Sequence, residues 1–211
     1  MAVHSETSIA SWALSKLGSA RVASISQDSK GAEAMNFRFP YVRDAMLQAY
    51  PWRFAMVRTT LAADATAPEW GYARRFLLPS DCLQFRALGD DIASIQEIGV
   101  TVRGLGFGTI GTGAVCEVIG QYIHTDLSAP LKIEYIRQVT DVGEFPDVFA
   151  EAMACKLATD AAIELPNSTT LQRDLAAEYA RTISDARNTD AILRPPERRA
   201  PGAWVTARLG I

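Results

Sequence analysis

The chain has 211 residues, 48% apolar and 21% charged, with a formal net charge of −3. That length can bury roughly 70% of the surface the unfolded chain exposes, enough for one substantial core and a smaller one, and the composition is that of an ordinary globular protein. The negative balance argues against a nucleic-acid-binding footprint over the whole molecule, but residues 181–211 hold six arginines against Asp185, Asp190 and Glu197. A basic end on an acidic body points to an electrostatically guided contact with a partner protein.

Taken along the chain, Thr7 to Leu17 reads as a short helix, with Ser5 or Thr7 as its cap and Gly18 where a helix C-terminus favours positive φ. A polar connection leads to a second helix from about Lys30 to Tyr50. At 100° per residue Glu33, Asn36, Arg43, Asp44 and Gln48 share one arc, with Pro40 inside it. A proline there leaves the Asn36 carbonyl without its helical donor, but facing water, so the spacing predicts a tolerated kink in a continuous helix. Tyr50 precedes Pro51 and is pushed out of the α region, so "AYPWRFA" (49–55) is where the helical pattern gives way to strand alternation.

From Phe54 to about Val139 six runs rich in β-branched and aromatic residues, "RFAMVRTTL", "YARRFLLP", "LQFRAL", "IQEIGVTVRG", "AVCEVIGQYI" and "LKIEYIRQV", are separated by turn-forming stretches. Strands in series without helices between them predict antiparallel pairing in a small sandwich or barrel. Helix returns at Pro146 and runs to Glu164. Phe149, Met153 and Leu157 form one stripe and Ala150, Ala154, Ala158 and Ala161 a second, so the helix must be covered on two sides and a neighbouring backbone can approach the alanines closely. A last helix spans about Thr169 to Asn188, with Leu171, Leu175, Tyr179 and Ile183 on one face. Beyond Asp190, prolines 195, 196 and 201 forbid a continuing helix, yet Ile192, Leu193, Trp204, Val205 and Leu209 interleave with Arg194, Arg198, Arg199 and Arg208. This tail reads as a docking segment, with Trp204 its anchor.

The predicted fold is α+β: an α-helical bundle domain from both chain ends (1–56 and 141–190), an inserted antiparallel β domain (57–140) and an extended C-terminal tail (191–211). No catalytic set is assembled by the sequence. "GFGTIG" (106–111) matches a phosphate-loop pattern, but a strand rather than a helix follows it, so it reads as a turn or hairpin tip. His4 is placed in a frayed terminus and His124 at a strand end. Cys82, Cys116 and Cys155 lack metal-ligand spacing and read as buried apolar residues in a reducing compartment. Asp81, Asp90, Asp91, Glu97 and Glu117 are available as acids, but read as turn and surface groups. Arg74-Arg75 reads as a solvated strand face. No cofactor, metal site, membrane span or signal peptide is indicated.

The order of "ALSKLG", "FRFPYVRDAMLQAYPWRFA", "LLPSDCLQF", "IEYIRQVTD" and "FPDVFAEAMACKLATDAAIELPNSTTLQRDLAAEYARTISDAR" resembles the head-to-tail adaptors of short-tailed bacteriophages, often called tail tubular protein A, over about residues 8–190. The resemblance implies a structural virion protein, assembled in the host cytoplasm and resident at the head–tail junction. It would form a closed dodecameric ring, a homo-oligomer of about twelve copies. The ring would join the portal protein to the tail nozzle protein, with genomic DNA passing through the channel without sequence-specific binding. On that basis the four alanines are expected at the subunit interface and the tail residues on portal. A tail-associated peptidoglycan hydrolase, using two of the acids above, is the alternative, and a free-standing nucleic-acid-binding protein a third reading.

Overall fold

The computed structural model describes residues 4–88, 101–103 and 114–193. Among them are four α-helices, α1 (Glu6–Lys16), α2 (Lys30–Gln48), α3 (Asp147–Ala161) and α4 (Thr169–Ile192). Between α2 and α3 lie seven strands: β1 (Met56–Leu61), β2 (Arg74–Leu77), β3 (Cys82–Leu88), β4 (Thr101–Arg103), β5 (Ala114–Ile119), β6 (Tyr122–Thr125) and β7 (Leu131–Arg137). The fold class is α+β.

Local chemistry sets the helix ends. The Ser5 hydroxyl accepts the Ser8 N–H, and the Ser8 hydroxyl accepts the Ser5 N–H in return, which closes a reciprocal cap on α1. At its other end Gly18 (φ 69°) lets the Ser19 N–H reach the Leu14 carbonyl at 2.9 Å and its own N–H reach Ser15 at 3.1 Å, the paired bonds of a Schellman stop. Ser29 and Ser168 cap α2 and α4 one way, their hydroxyls accepting the Ala32 and Leu171 N–H groups.

α2 passes through Pro40 without a break, and Pro40 and Asn36 are both exposed. The polar arc, however, is displaced from the one predicted. Arg43 is buried, its Nε donating to Asp44 Oδ1 at 2.7 Å, while Phe37 and Tyr41 are 68% and 67% exposed. A buried guanidinium costs less with a carboxylate partner than without one, and periodicity alone treats every arginine as a surface residue. Because the proline sits on the solvent side, Pro40→Ala is expected to leave thermal stability unchanged or raise it by about 1 kcal/mol. A loss of stability would show that the ring makes contacts the helix needs.

The strands form two sheets, β1–β7–β3 and β2–β6–β5–β4. Every pair is antiparallel except β4–β5, which is parallel, so the prediction of purely antiparallel pairing is corrected there. The run "AVCEVIGQYI" is also not one strand. Gly120 (φ 61°) opens a two-residue turn, with Ile119 facing Tyr122, and folds the run into the β5–β6 hairpin. Two bulges interrupt β3, because the register with β7 skips one residue between Cys82 and Gln84 and another between Phe85 and Ala87.

Two apolar clusters hold the chain. The first joins the four helices and takes in Ile136, with Met56 and Leu83 against it. The second lies between the sheets, around Phe76, Phe85, Cys116, Ile123, Ile133 and Tyr135. The β1–β7–β3 sheet thus turns one face to its fellow sheet and one end of its other face to the helices. The bulge at Leu83 is what gives β3 a side chain on the helical side.

Candidate interaction surfaces

The junction between helices and strands is built from the "AYPWRFA" stretch. Trp52 is 1% exposed, and its indole N–H donates to the Met46 carbonyl at 2.8 Å. Its ring meets Tyr50 at 4.8 Å and Phe149 at 5.0 Å, both edge-on, while Phe54 packs on Phe145 at 5.7 Å and on Phe149 at 5.0 Å. Residues leaving α2 therefore interlock with residues entering α3. At the same junction α4 runs further than predicted. It continues past Asn188 to Ile192, since the buried Asp190 accepts the Arg53 N–H at 2.8 Å and the Tyr50 hydroxyl donates to the Arg187 carbonyl at 3.4 Å. Intrinsic propensity could not foresee that tertiary anchoring.

Ala150, Ala154, Ala158 and Ala161 are all fully buried within the single chain. The second side of α3 is covered by this protein's own α1 and α4, so the expectation that these alanines face another subunit is corrected. A stripe of small residues reports close helix packing, and periodicity cannot say whether the neighbouring helix comes from the same chain. Ile192 and Leu193, by contrast, are 82% and 67% exposed at the end of α4. Arg194, Arg198, Arg199, Trp204, Val205, Arg208 and Leu209 lie outside the described residues, as do the 104–113 loop, Asp90, Asp91 and Glu97.

The exposed apolar surface that sequence reasoning missed is on α2. Phe37 and Tyr41 stand one turn apart with ring centroids 5.6 Å from each other, a two-ring ridge on the solvent side of the helix. Exposed apolar residues are ordinary when scattered, but a pair of aromatic rings in contact is the type of surface enriched at protein interfaces. Pro40 marks the solvent side of α2, but which aromatics share that side is set by the helices that α2 meets. A second feature is a groove of about 620 Å³ along α1 and α4, lined by Lys16, Leu171, Asp174, Glu178, Arg181 and Asp185 among others. Lys16 bonds Glu178 there at 2.6 Å. Burial disfavours the Lys16 charge, but the Glu178 carboxylate outweighs it and Lys16 titrates above its usual range.

The groups that chemistry would draw on are engaged structurally. Burial pushes the Cys116 thiol up to about 11, and burial with the Asp81 carboxylate does the same to Cys82. Cys155 is raised by burial too. All three thiols are free and stay protonated at neutral pH, the form that is a poor nucleophile. Asp81 accepts the Tyr135 hydroxyl at 3.1 Å, and burial and that bond push the Tyr135 phenol up to about 12. His4 is not frayed: its Nε2 lies 2.7 Å from Asp147 Oδ1 and ties the N-terminal segment to α3. Arg75 bonds Asp64 at 2.9 Å and covers the Tyr122 ring, while Arg74 donates to the Asp126 and Leu127 carbonyls. The Thr66 N–H and Arg75 hold Asp64 below the usual carboxylate range. Among the described residues no group of His, Cys, Asp and Glu is placed to hold a metal ion, and no helix is long and apolar enough to cross a membrane. In comparisons with known proteins, no family model matches the chain and no curated protein matches it.

Proposed function

We propose that this chain is a subunit of a ring-forming head-to-tail adaptor, a structural virion protein that joins portal to the tail nozzle around a DNA channel. The observation that carries the reading is that the quoted stretches, far apart in the chain, converge in space. Trp52 of "YVRDAMLQAYPW" packs on Phe149, at the head of the "EAMACKLA" helix, and Asp81 of "LLPSDCLQF" accepts the hydroxyl of Tyr135 from "IEYIRQVTD". Gln138, from the same stretch, donates to Asp44 of α2 at 2.7 Å. Sequence features that meet in three dimensions belong to one architecture, which is what a family resemblance over about residues 8–190 requires. In this reading the helices from the two chain ends form the adaptor's bundle domain, with the β domain inserted and the segment after α4 serving to dock.

A ring subunit needs two different surfaces, one for each neighbour, because every contact around a closed ring is heterologous. With the alanine stripe internal, the Phe37–Tyr41 ridge and the α1–α4 groove are the surfaces that serve. The tail, beginning at the exposed Ile192 and Leu193, is assigned to portal, where its arginines speed encounter with an acidic surface and Trp204 anchors it.

The test is the mass of the purified chain alone and mixed with portal rings, for the full chain and for one ending at Leu193. We expect a monomer that joins portal at about twelve copies, and a shortened chain that folds normally but fails to attach. A full chain that ignores portal, or peptidoglycan cleavage lost on substitution of an acid, would overturn the reading. Undiminished attachment of the shortened chain would show that the tail docks elsewhere.

A further inference from the structure

The outer face of the β1–β7–β3 sheet, beyond the reach of the helices, is cationic. On β1 Arg58 points outward with its side chain 80% exposed, and it lies opposite Glu134 of β7, Nε to Oε2 being 3.5 Å. Lys132, two residues along β7, is exposed on the same face. On β3 the register runs from Phe85 opposite Tyr135 to Ala87 opposite Glu134, so Arg86 is the extra residue of a bulge. A bulge re-aims its extra side chain, and here Arg86 enters a notch of about 220 Å³ with Arg53, Met56 and Glu134. Arg53 comes from the short turn between α2 and β1, held by its backbone bond to Asp190.

Charge is unbalanced at this face. Among the described residues three arginines, Arg53, Arg58 and Arg86, stand about the Glu134 carboxylate, and Arg58 already engages it. Asp190, the other acid nearby, is 7% exposed and turned to the Arg53 N–H. Among the described residues neither the Arg53 nor the Arg86 guanidinium has an acidic partner. Spacing on the sheet keeps the cations apart: neighbouring strands are ~4.8 Å apart and alternate residues ~6.6 Å. A flat array of separated cations presents charge to a polyanion, not a cage to one small ion.

We propose that this face, centred on Arg53 and Arg86, contacts the phosphate backbone of duplex DNA without reading its sequence. The choice of DNA over an acidic protein rests on what the face lacks. Protein interfaces anchor on aromatic side chains, and the exposed aromatics among the described residues, Trp12, Phe37, Tyr41 and Trp70, lie on α1, on α2 and in the β1–β2 loop, away from these strands. Phosphodiester contacts need charge and reach, which long arginine and lysine side chains supply. The inference uses the adaptor reading only for where DNA is met. In a ring around a DNA channel, such a face would restrain the duplex weakly at every subunit.

The experiment measures binding of a short random-sequence duplex to the full isolated chain by fluorescence anisotropy at a series of salt concentrations. Each phosphate neutralised contributes about 0.9 to the slope of log affinity against log salt. We expect Arg53→Gln with Arg86→Gln to flatten that slope by about 2 and to weaken binding alike on unrelated sequences. Arg53→Lys with Arg86→Lys should keep the slope, and the exposed control pair Arg21→Gln with Arg173→Gln should leave it unchanged. If the double Gln variant loses its far-ultraviolet dichroism, Arg58→Gln alone carries the test, with an expected flattening of about 1. A wild-type chain that does not bind duplex at low salt, or a folded double variant that binds like wild type, overturns the proposal. A double variant that keeps DNA binding but no longer joins portal assigns the face to a protein. A chain that binds DNA through these arginines yet ignores portal removes the adaptor reading and leaves this one standing.

Discussion

Replacing Trp52 with Ala is expected to destabilise the chain by about 3–5 kcal/mol, the range for emptying a large aromatic site in a core. Trp52 is 1% exposed, touches Tyr50, Phe54 and Phe149 within 6.2 Å of ring-centre separation, and satisfies the Met46 carbonyl through its indole N–H. Ala removes the packing and leaves that buried carbonyl without its donor, so two losses combine. Trp52→Phe restores part of the packing but not the hydrogen bond, and should fall between Ala and wild type. Urea unfolding followed by circular dichroism measures all three. The exposed Phe37 is the control, since Phe37→Ala should shift the midpoint by no more than about 0.5 kcal/mol. If Trp52→Ala cost less than about 1 kcal/mol, the junction would not be a packed core.

Ala154→Leu is the second large effect. Ala154 is fully buried against the chain's own helices, with Cys155 beside it 4.0 Å from Thr182 of α4. Three extra carbons have no space, and overpacking of this kind costs about 1–3 kcal/mol or more. The penalty should appear as a lower unfolding midpoint in the isolated chain. Were the alanines a subunit surface, the monomer would be unaffected and assembly alone would suffer. The two outcomes separate a helix neighbour within the chain from one in the next subunit.

How far the sequence discloses the molecule depends on whether a residue's environment is local. The capping of α1 by Ser5, its stop at Gly18 and the continuity of α2 through Pro40 all follow from groups within one turn, and all are legible. So are the apolar face of α4 and the places where most strands run. What fails is what depends on partners distant in sequence. Arg43 is buried because Asp44, itself held by Gln138, goes inside with it. The last turn of α4 exists because Asp190 finds Arg53, and the alanine stripe is internal because α1 returns to it. The candidate surfaces were hidden for the same reason. Phe37 and Tyr41 look like core residues until the buried arc of α2 is fixed by the helices it meets, and Arg86 looks like any strand cation until a bulge turns it into a notch.

The pairing of β1 with β7 has a mechanical consequence. The first and last strands between α2 and α3 are antiparallel neighbours, with Met56 opposite Ile136 at the end where both chains emerge and Leu61 opposite Leu131 at the far end. A load that pulls the two emerging segments apart therefore acts across the ladder at its near end. It would open the bonds one rung after another instead of shearing them together, and a ladder loaded that way yields at low force. Ahead of it stands the interlock of Trp52 with Phe149, whose rings must separate before the first rung is strained. Resistance to tension between the helices is thus concentrated in a few aromatic contacts, and the strands behind them act as a zip that the junction keeps closed.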